Sequence, residues 1–518
     1  MDGRPTVLVI DIGLTHVKTV IFATDGRILE RESVPYPTRR AGEFVEQEPS
    51  DWWAAAVKGC RAIGGRSHVL LASVAAITVT GHMHALVLAD ARGEPIGPAL
   101  VLGDRRALRQ ATRISAMVGP DEVYAITGAA LDPSMPAAKI AWLRDEMPER
   151  IASAAAVLAC KDWLRSRLTG DRLSDPIDAC ASSLYDLRTG EWSADMLGSV
   201  GVDRDRLPPV VAPQTIAGGL LAEPACELGL TAGVPVVVGA GDDVEVLGNG
   251  LLGPGQSLEH LGTTGSILTV TDRLVPDPEM RLESYPHVIP GLWVAGGSMT
   301  TGGAAIGWAR KVLGLRDAFA CLGEGSPAYA PVFLPHLAGE RSPSRAPNAR
   351  GAWLGLDQET NRSSLMRGVL VGVAFALRAI LRRIETLVGR QAEISVSGGY
   401  DVEPAWLQLR ADAYGRPLVL LQTSEPTALG AMAIAAAGIG VYPDVATAVR
   451  VVARAGRRIE PNPAAVGEFD RAFDRWLLFH AALEPAWAAA SHDGGWGPSG
   501  TEVAAPVVSR AAGGSLPR

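Results

Sequence analysis

A short glycine-containing corner near the start of the chain carries side chains suited to holding phosphate. It spans residues 11–18 and reads D-I-G-L-T-H-V-K, with a carboxylate at the end of an apolar run. Gly13 permits a tight corner at which backbone N–H groups approach a phosphate closely. Thr15 offers a hydroxyl donor and Lys18 a positive charge. An ordinary hairpin with a capping aspartate explains the same residues equally well.

A second corner, G-T-T-G-S at residues 262–266, repeats this combination in the other half of the chain. Gly262 allows close approach of a ligand, and Thr263 and Thr264 supply hydroxyls for oxyanions. Taken alone, this motif is also only a turn. Because each corner opens one half of the chain, the two together could hold one polyphosphate from opposite sides. The pair therefore favours nucleotide binding.

Two adjacent acids follow a short apolar strand at residues 235–239, in the run G-A-G-D-D. Asp242 is flanked by Gly241 and Asp243, so its carboxylate is little crowded. Ligands of α/β sheets bind at the carboxyl ends of strands. The run therefore offers a candidate catalytic base, and a paired-acid turn is the competing interpretation.

Another glycine pair follows a predicted strand at residues 393–396, in the motif S-G-G. Gly398 and Gly399 would let a ligand lie directly against the backbone. A single pair of glycines is weak evidence for a binding site on its own.

The run G-H-M-H at residues 81–84 places two histidines at positions i and i+2 of a strand-end loop. A zinc site needs three or four protein ligands, and the neighbouring sequence offers no further one. A sugar-binding loop fits better, with imidazole groups for hydroxyls and Met83 against the carbon face of a sugar.

The elements that would position these residues form two similar series. Residues 7–10, 17–23 and 28–34 predict an antiparallel meander, and residues 75–80 predict a further strand. The strand, glycine corner and strand recur at residues 257–270, which suggests an internal duplication. Apolar residues at helix spacing predict a helix over 365–388, and a second apolar helix is expected over 428–437.

Length and composition limit the classes of function. The 518 residues are too many for one ordinary core and indicate two large domains. The net charge of -8 and the absence of a dense Lys/Arg run argue against nucleic acid or an anionic membrane as a partner. Five scattered cysteines indicate a reducing compartment, and the first residues do not resemble a signal peptide, so we expect a cytoplasmic protein. The Gly-, Ala- and Ser-rich residues 491–518 are expected to be disordered.

Several motifs occur in the order found in one family of enzymes, and the resemblance runs from about residue 7 to about residue 440. The chain resembles the FGGY carbohydrate kinases, and among them the xylulokinases most. The motifs are D-x-G at Asp11, M-H at Met83, D-x-R at Asp104, D-W-L-R-S-R-L-T-G from Asp162, G-A-G-D-D ending at Asp243, L-G-T-T-G from Leu261, L-A-G-E-R-S-P from Leu337, S-G-G at Ser397 and A-L-G-A-M from Ala428.

The resemblance implies an α/β fold of two actin-like (ribonuclease H-like) domains with the substrates in the cleft between them. We expect an N-terminal domain over 1–250, a C-terminal ATP-binding domain over 251–445 and a helical extension over 446–490. The substrates would be ATP and a sugar. The sequence leaves the oligomeric state open, with a homodimer as one candidate.

The resemblance also assigns roles. Asp242 would accept the proton of the sugar hydroxyl, and Asp11 would act near the γ-phosphate and its Mg²⁺. The expected sugar-binding residues are Met83, His84, Asp104 and Asp243. The expected nucleotide-side residues are Gly13, Thr15, Lys18, Gly262, Thr263, Thr264, Gly302, Gly303, Gly398 and Gly399.

Departures from the xylulokinase pattern fall mainly in the expected sugar pocket. The chain has Leu14, His82, Leu102, Gly103, Asp243 and Tyr400 where those enzymes usually have a hydroxyl residue, Gln, Trp, Asn, Asn and Gly. The interpretation is therefore a kinase for a ketopentose such as D-xylulose, with another ketose, a sugar acid or a polyol as alternatives. A non-enzymatic ATP-binding sensor or degenerate kinase is the alternative outside enzymes, although Asp11, Asp242 and Thr263 are all present.

Overall fold

The computed structural model describes residues 5–323, 326, 329–399 and 403–490. The expected disordered tail, residues 491–518, and Tyr400 lie outside the described residues. The strands are, in chain order, β1 Thr6–Ile12, β2 His16–Ala23, β3 Ile28–Pro35, β4 Arg39–Ala41, β5 Phe44–Gln47, β6 Val74–Gly81, β7 Val87–Ala89, β8 Ala99–Leu100, β9 Ala156–Leu158, β10 Tyr185–Asp186, β11 Glu191–Trp192, β12 Ile216–Gly219, β13 Pro235–Val237, β14 Ser257–Leu261, β15 Gly265–Thr271, β16 Glu283–Pro286, β17 Trp293–Met299, β18 Val332–Leu334, β19 Ala352–Leu354, β20 Ile394–Ser397, β21 Leu418–Leu421 and β22 Ala455–Ile459.

Helices cover these strands on both sides and fill the connections. They are α1 Pro49–Arg66, α2 His68–Ala72, α3 Leu108–Val118, α4 Pro120–Thr127, α5 Pro136–Glu146, α6 Pro148–Ala152, α7 Cys160–Thr169, α8 Pro176–Ala181, α9 Ala194–Val200, α10 Ala222–Leu228, α11 Glu245–Gly248, α12 Gly303–Val312, α13 Arg362–Val388, α14 Pro404–Tyr414, α15 Pro426–Gly438, α16 Val445–Val452 and α17 Pro463–Ala490. Short 3₁₀ turns lie at Arg204–Arg206, Asp242–Val244 and Ala320–Gly323.

The first large sheet has the strand order β12-β13-β6-β1-β2-β3. Strands β1, β2 and β3 form the predicted antiparallel meander, while β6 and β13 run parallel to β1. All seven residues of β1 are buried, as expected for a central strand covered on both faces. Because β1, β6 and β13 are parallel, their carboxyl ends lie at one edge of the sheet, and the loops after them meet there.

The second large sheet has the order β16-β17-β15-β14-β20-β21-β22 and repeats the plan of the first. Its antiparallel pairs β14–β15 and β15–β17 correspond to the first meander, and β20 and β21 run parallel to β14. The two sheets therefore have the same topology apart from the extra edge strand β16. The duplication that the two glycine corners suggested is present in the strand order.

The sequence predicted a helical extension over residues 446–490, but the structure also has a strand there. Strand β22 lies between α16 and α17 and pairs antiparallel with β21 at the edge of the second sheet. Four of its five residues are exposed, so it has none of the apolar alternation that identifies a half-buried strand in a sequence.

Two helices organise the cores. The long helix α13 begins with a capping box between Asn361 and Ser364 and packs against β15 and β17. It is long and apolar enough to cross a membrane, and 78% of its apolar window is buried inside the protein. The alanine-rich helix α15 belongs to the second half of the chain but packs on β1 and β6 of the first sheet. Its residues 428–436 are all buried, so it joins the two halves.

Candidate active site

The first corner joins β1 to β2 in the predicted position. Asp11 pairs with Lys18 across β1 and β2, and with Thr80 on the neighbouring β6. Gly13 closes the corner by donating its N–H to the carbonyl of His16 at 3.0 Å. Asp11 is only 6% exposed. Burial raises its pKa to about 6, against the opposing effect of the Lys18 charge.

The remaining residues of this corner are more exposed than Asp11 or already have partners. The Thr15 hydroxyl is exposed and lies 2.9 Å from Nδ1 of His16. Leu14 is 38% exposed, at the position where the family usually has a hydroxyl. Lys18 Nζ lies 2.7 Å from the Glu425 carboxylate, just before α15, so its charge already has a partner from the other half of the chain.

The second corner brings together most of the expected nucleotide-side residues. The N–H of Gly302 donates to the Thr263 carbonyl at 3.0 Å, and that of Gly303 donates to the Gly262 carbonyl at 2.9 Å. A Cβ at Gly302 would lie 2.7 Å from the Thr264 carbonyl oxygen, so no other residue fits without movement. The start of α12 therefore docks directly on the G-T-T-G corner.

The S-G-G motif at the end of β20 packs against the same corner. Gly398 has a φ of +129°, and a Cβ there would lie 2.3 Å from the carbonyl oxygen of Leu261. Only glycine is compatible with this approach. At Gly399 a Cβ would meet nothing within 4 Å, so the backbone faces open space that a ligand can use.

Asp242 begins the 3₁₀ turn that follows β13 after residues 238–241, and it lies close to the loop that follows β6. Its Oδ1 accepts a hydrogen bond from the Met83 N–H at 3.3 Å. A Cβ at Gly241 would lie 2.8 Å from Met83 Cγ, so this glycine is what lets the two loops meet. Burial, followed by the charges of Asp243 and Asp11, raises the pKa of Asp242 well above its ordinary value.

Asp243 and His84 lie beside this pair. Burial raises the pKa of Asp243 to about 6, and the Glu245 charge adds to the effect. His84 has a φ of +65°, and its Nδ1 lies 3.0 Å from the Ala181 carbonyl. Burial and the Arg341 charge lower its pKa to about 4, so the imidazole is neutral at pH 7.

Asp104 is fully enclosed, and protein donors already use its carboxylate. It accepts from the Val45 N–H at 2.8 Å and from Arg106 Nη2 at 2.7 Å. An aspartate two residues before an arginine can fold back into such a local ion pair. Its contact with sugar hydroxyls stays a prediction.

Comparison with known proteins gives the family. Residues 6–248 match the N-terminal domain, and residues 260–439 the C-terminal domain, of the FGGY family of carbohydrate kinases. The chain belongs to this family. It is 31% identical to the xylulose kinase of Escherichia coli K12 over 415 residues, which are 79% of this chain and 85% of that one.

The similar proteins include kinases named for more than one sugar substrate. The chain is 28% identical to the gluconokinase of Bacillus subtilis over 82% of this chain and 86% of that one. The solved xylulose kinase of Rhodospirillum rubrum superposes with a TM-score of 0.86 at 27% identity, covering 93% of this chain and all of that one. The expected fold of two actin-like domains is confirmed. FGGY enzymes are sugar kinases that use ATP as phosphate donor, and this chain is one of them.

Sequence reasoning missed a contact between the two halves of this FGGY kinase. The Glu245 carboxylate, on α11 after the turn that holds Asp242, lies 2.9 Å from Nδ1 of His260. His260 lies on β14, two residues before the Gly262 corner. Glu245 therefore ties the turn that holds Asp242 to the corner that holds Thr263. Its spacing of three residues from Asp242 was the only sequence signal.

A second missed feature is a buried ionic cluster under the turn that holds Asp242. Among the described residues, one group of three carboxylates is close enough to share a metal, formed by Asp162, Asp175 and Asp178. The Lys161 ammonium already occupies its centre, at 2.5, 2.8 and 3.3 Å from the three. The K-D dipeptide before Trp163 was the available signal. The group is an ion-pair cluster rather than a metal site.

Proposed function

We propose that the protein transfers the γ-phosphoryl group of ATP to a hydroxyl of a ketopentose, with D-xylulose giving D-xylulose 5-phosphate as the first candidate. The observation that carries this is the hydrogen bond between the Asp242 carboxylate and the Met83 N–H. It places an acid of raised pKa beside the loop that resembles the ketose-binding pair of xylulokinases. The xylulose kinases among the relatives support the same substrate class.

Asp242 has the properties of a general base. Its strand-end turn leaves one carboxylate oxygen bound to the Met83 N–H, which fixes the orientation of the group. A raised pKa makes the carboxylate a stronger base near neutral pH, where general-base help is worth about 10² to 10⁴ in rate. The base orients the sugar hydroxyl and takes its proton as the new oxygen–phosphorus bond forms.

The two glycine corners supply the nucleotide side. Backbone groups around Thr263, Gly302 and Gly399 offer close approach to a polyphosphate. The corner at Gly13 belongs to the first sheet, and Lys18 beside it pairs with Glu425 of the second half. Closing of the two halves would exclude water, which would otherwise accept the phosphoryl group.

Asp11 is the residue we assign to Mg²⁺. Its pKa is raised by burial, and the charges of Glu425 and Glu245 add to the effect. A buried carboxylate among other carboxylates is stabilised by a divalent cation, so the donor set fits the metal. When bound, Mg²⁺ would neutralise charge on the transferring phosphoryl group.

Alternative acceptors remain within the same chemistry. The departures at His82, Leu102, Gly103 and Asp243 alter the expected sugar pocket, and one relative is a gluconokinase. Another ketose, a sugar acid or a polyol is therefore the second candidate. A sensor that binds ATP without transferring phosphate is less well supported, because the candidate base and both corners are intact.

The test is a screen of ADP release from ATP and Mg²⁺ over ketopentoses, ketohexoses, aldonates, alditols and glycerol. We expect the highest kcat/KM for a ketopentose and much slower turnover of glycerol. Equal turnover of glycerol and every ketopentose would contradict the interpretation of the Met83 loop. ATP binding by calorimetry without ADP release from any acceptor would favour the sensor.

A further inference from the structure

Lys139, on α5, has a side chain that is completely enclosed by protein. Its ammonium group donates hydrogen bonds to three backbone carbonyls, those of His84 at 2.7 Å, Val101 at 3.0 Å and Leu100 at 3.2 Å. No carboxylate among the described residues forms an ion pair with it. Because the side chain has no exposed surface, any effect of Lys139 on a reaction must pass through the loops that it holds.

A buried ammonium group without an ion pair is costly to the folded protein. Burial lowers the pKa of Lys139 to about 7, although the charges of Asp104 and Asp132 oppose the shift. Helix α5 is also buried at residues 136–138, 140, 141 and 143, so packing alone would favour an apolar side chain at position 139. The three carbonyls are therefore the physical reason for a lysine here.

The first of these carbonyls belongs to the loop that follows β6. His84 has a φ of +65°, a left-handed conformation that residues other than glycine rarely adopt. Its ring lies 3.0 Å from the Ala181 carbonyl, and its own carbonyl accepts from Lys139. The preceding residue, Met83, donates its N–H to Asp242. Lys139 therefore holds the residue next to the contact that orients the proposed base.

The other two carbonyls lie at the end of β8, where a second loop begins. The Val101 carbonyl also accepts the N–H of Asp104 at 3.2 Å, and the Leu100 carbonyl accepts the N–H of Leu86 at 2.9 Å. The turn over residues 101–104 carries Asp104, one of the expected sugar-binding residues. A single ammonium group thus joins the two loops of the first half that are expected to contact the sugar.

We propose that Lys139 is a positioning residue for the sugar acceptor, and that its ammonium group fixes the loop of Met83 and His84 against the turn over residues 101–104. The proposal rests on the sugar phosphorylation proposed above. All three contacts come from the first half of the chain, whereas the G-T-T-G and S-G-G motifs expected to bind the nucleotide lie in the second. Sugar binding should therefore depend on Lys139, and ATP binding should not.

The test compares Lys139→Met with Leu143→Ala. Methionine is nearly as long as lysine but donates no hydrogen bond, so it removes all three contacts. Leu143 is equally buried on the same helix, and its truncation lowers stability without removing any of the three hydrogen bonds. Lys139→Gln keeps two N–H donors on a shorter side chain.

Four measurements are made on the full-length wild type and on each variant. Thermal unfolding ranks their stabilities, and steady-state kinetics give the KM for ATP and for the acceptor that the wild type uses best. Calorimetry gives the Kd of that acceptor. Hydrogen exchange of the amides over residues 82–104, without ligands, reports the order of the two loops independently of turnover.

We expect Lys139→Met to raise the KM and Kd for the sugar about 10- to 100-fold, because several hydrogen bonds to a charged group are lost. The KM for ATP should stay within about twofold. Amide exchange over residues 82–104 should become about tenfold faster or more than in Leu143→Ala. Lys139→Gln should give intermediate values, and Leu143→Ala should lower the melting temperature while both KM values stay within about twofold.

The wild-type KM for sugar in Lys139→Met would overturn the proposal. An equal rise in the KM for sugar and for ATP, or the same rise in Leu143→Ala, would assign the effect to general loss of stability. Should Lys139→Met fail to fold, Lys139→Gln carries the same comparison. If the wild type phosphorylated no acceptor, the proposed function would fail, and wild-type amide exchange over residues 82–104 in the lysine variant would separately overturn the positioning role.

Discussion

Asp242 and Asp243 are neighbouring carboxylates with different surroundings. Asp242 accepts the Met83 N–H, and burial followed by the charges of Asp243 and Asp11 raises its pKa. The pKa of Asp243 is raised mainly by burial. Both have raised pKa values, but only Asp242 accepts a hydrogen bond from the loop that holds Met83. We therefore expect Asp242 to accept the proton of the sugar hydroxyl and Asp243 to contribute to sugar binding.

The first prediction concerns Asp242→Asn, which keeps size and most hydrogen bonding but removes the proton acceptor. We expect kcat to fall by roughly two to four orders of magnitude, with a much smaller change in sugar affinity. Asp243→Asn is the matched control and should act mainly on sugar binding. Steady-state kinetics and calorimetric sugar titration of both variants measure this. A near-normal kcat in Asp242→Asn would remove it as the base.

The second prediction follows from the pKa of Asp11, about 6 in the folded protein against 3.8 for an unperturbed carboxyl. Between these values the native state binds more protons than the unfolded one, so the free energy of unfolding falls as pH rises through this range. Asp11→Asn removes the ionisable group, so this fall in the free energy of unfolding should disappear. The substitution should stabilise the metal-free protein at pH 8 by roughly 1–3 kcal/mol, with little effect at pH 4.

Urea unfolding in EDTA at both pH values checks this, with the exposed Asp205→Asn as control. The same substitution should abolish most activity, because Asp11 is the proposed Mg²⁺ residue. An equal effect of Asp11→Asn at pH 4 and pH 8 would show that its charge is not the cause.

At the scale of elements, α7 and α8 support the turn that holds Asp242, the proposed base, through Lys161. Its ammonium is fully buried among Asp162, Asp175 and Asp178, and Arg165 adds a second cation at 2.8 Å from Asp162. Asp178 Oδ1 would lie 3.0 Å from a Cβ at Gly241, so the cluster packs directly under the residue before Asp242.

The third prediction is that Lys161→Met destabilises the protein by about 3–5 kcal/mol, because it leaves buried carboxylates without their cation. The turnover of the folded fraction should also fall, since the turn at Gly241 loses its support. Exposed Lys58→Met is the control. Denaturant unfolding and kinetics at low temperature measure both effects, and a loss no larger than that of Lys58→Met would contradict the role of the cluster.

At the scale of the whole molecule, Glu425 joins the two halves through ion pairs. Its two oxygens lie 2.7 Å from Lys18 and 3.1 Å from Arg31, both from the first sheet. The exposed cations limit the stability gained from these pairs to about 1 kcal/mol or less. Because these ion pairs are weak, we expect that Lys18 can leave Glu425 and contact a bound nucleotide instead.

The fourth prediction separates Lys18 from its neighbour. Lys18→Gln should raise the KM for ATP about tenfold while leaving the KM for sugar within about twofold, since Lys18 follows the phosphate corner and would lose a charge-assisted contact. Arg31→Gln removes the other half of the Glu425 tie and should leave both values nearly unchanged. Equal effects of the two substitutions would show that Lys18 acts only through Glu425.

The sequence alone determined the parts of this protein that depend on local patterns. The meander, the two glycine corners and helix α13 were predicted because apolar periodicity and glycines mark them directly. The family followed from motifs in order, and Asp242 and Met83 were named before their contact was known. Strand β22 was missed because an exposed edge strand has no apolar alternation.

Only the tertiary structure decided which of these residues meet. Asp104 is held by Val45 and Arg106, Lys18 pairs with Glu425, and Glu245 reaches His260 across the two halves. Arg105 likewise lines a cavity with Arg345, some 240 residues later in the chain. Such contacts form when elements that are distant in the chain pack together, because each charged side chain then pairs with the oppositely charged group nearest to it. Spacing along the chain carries no record of that choice.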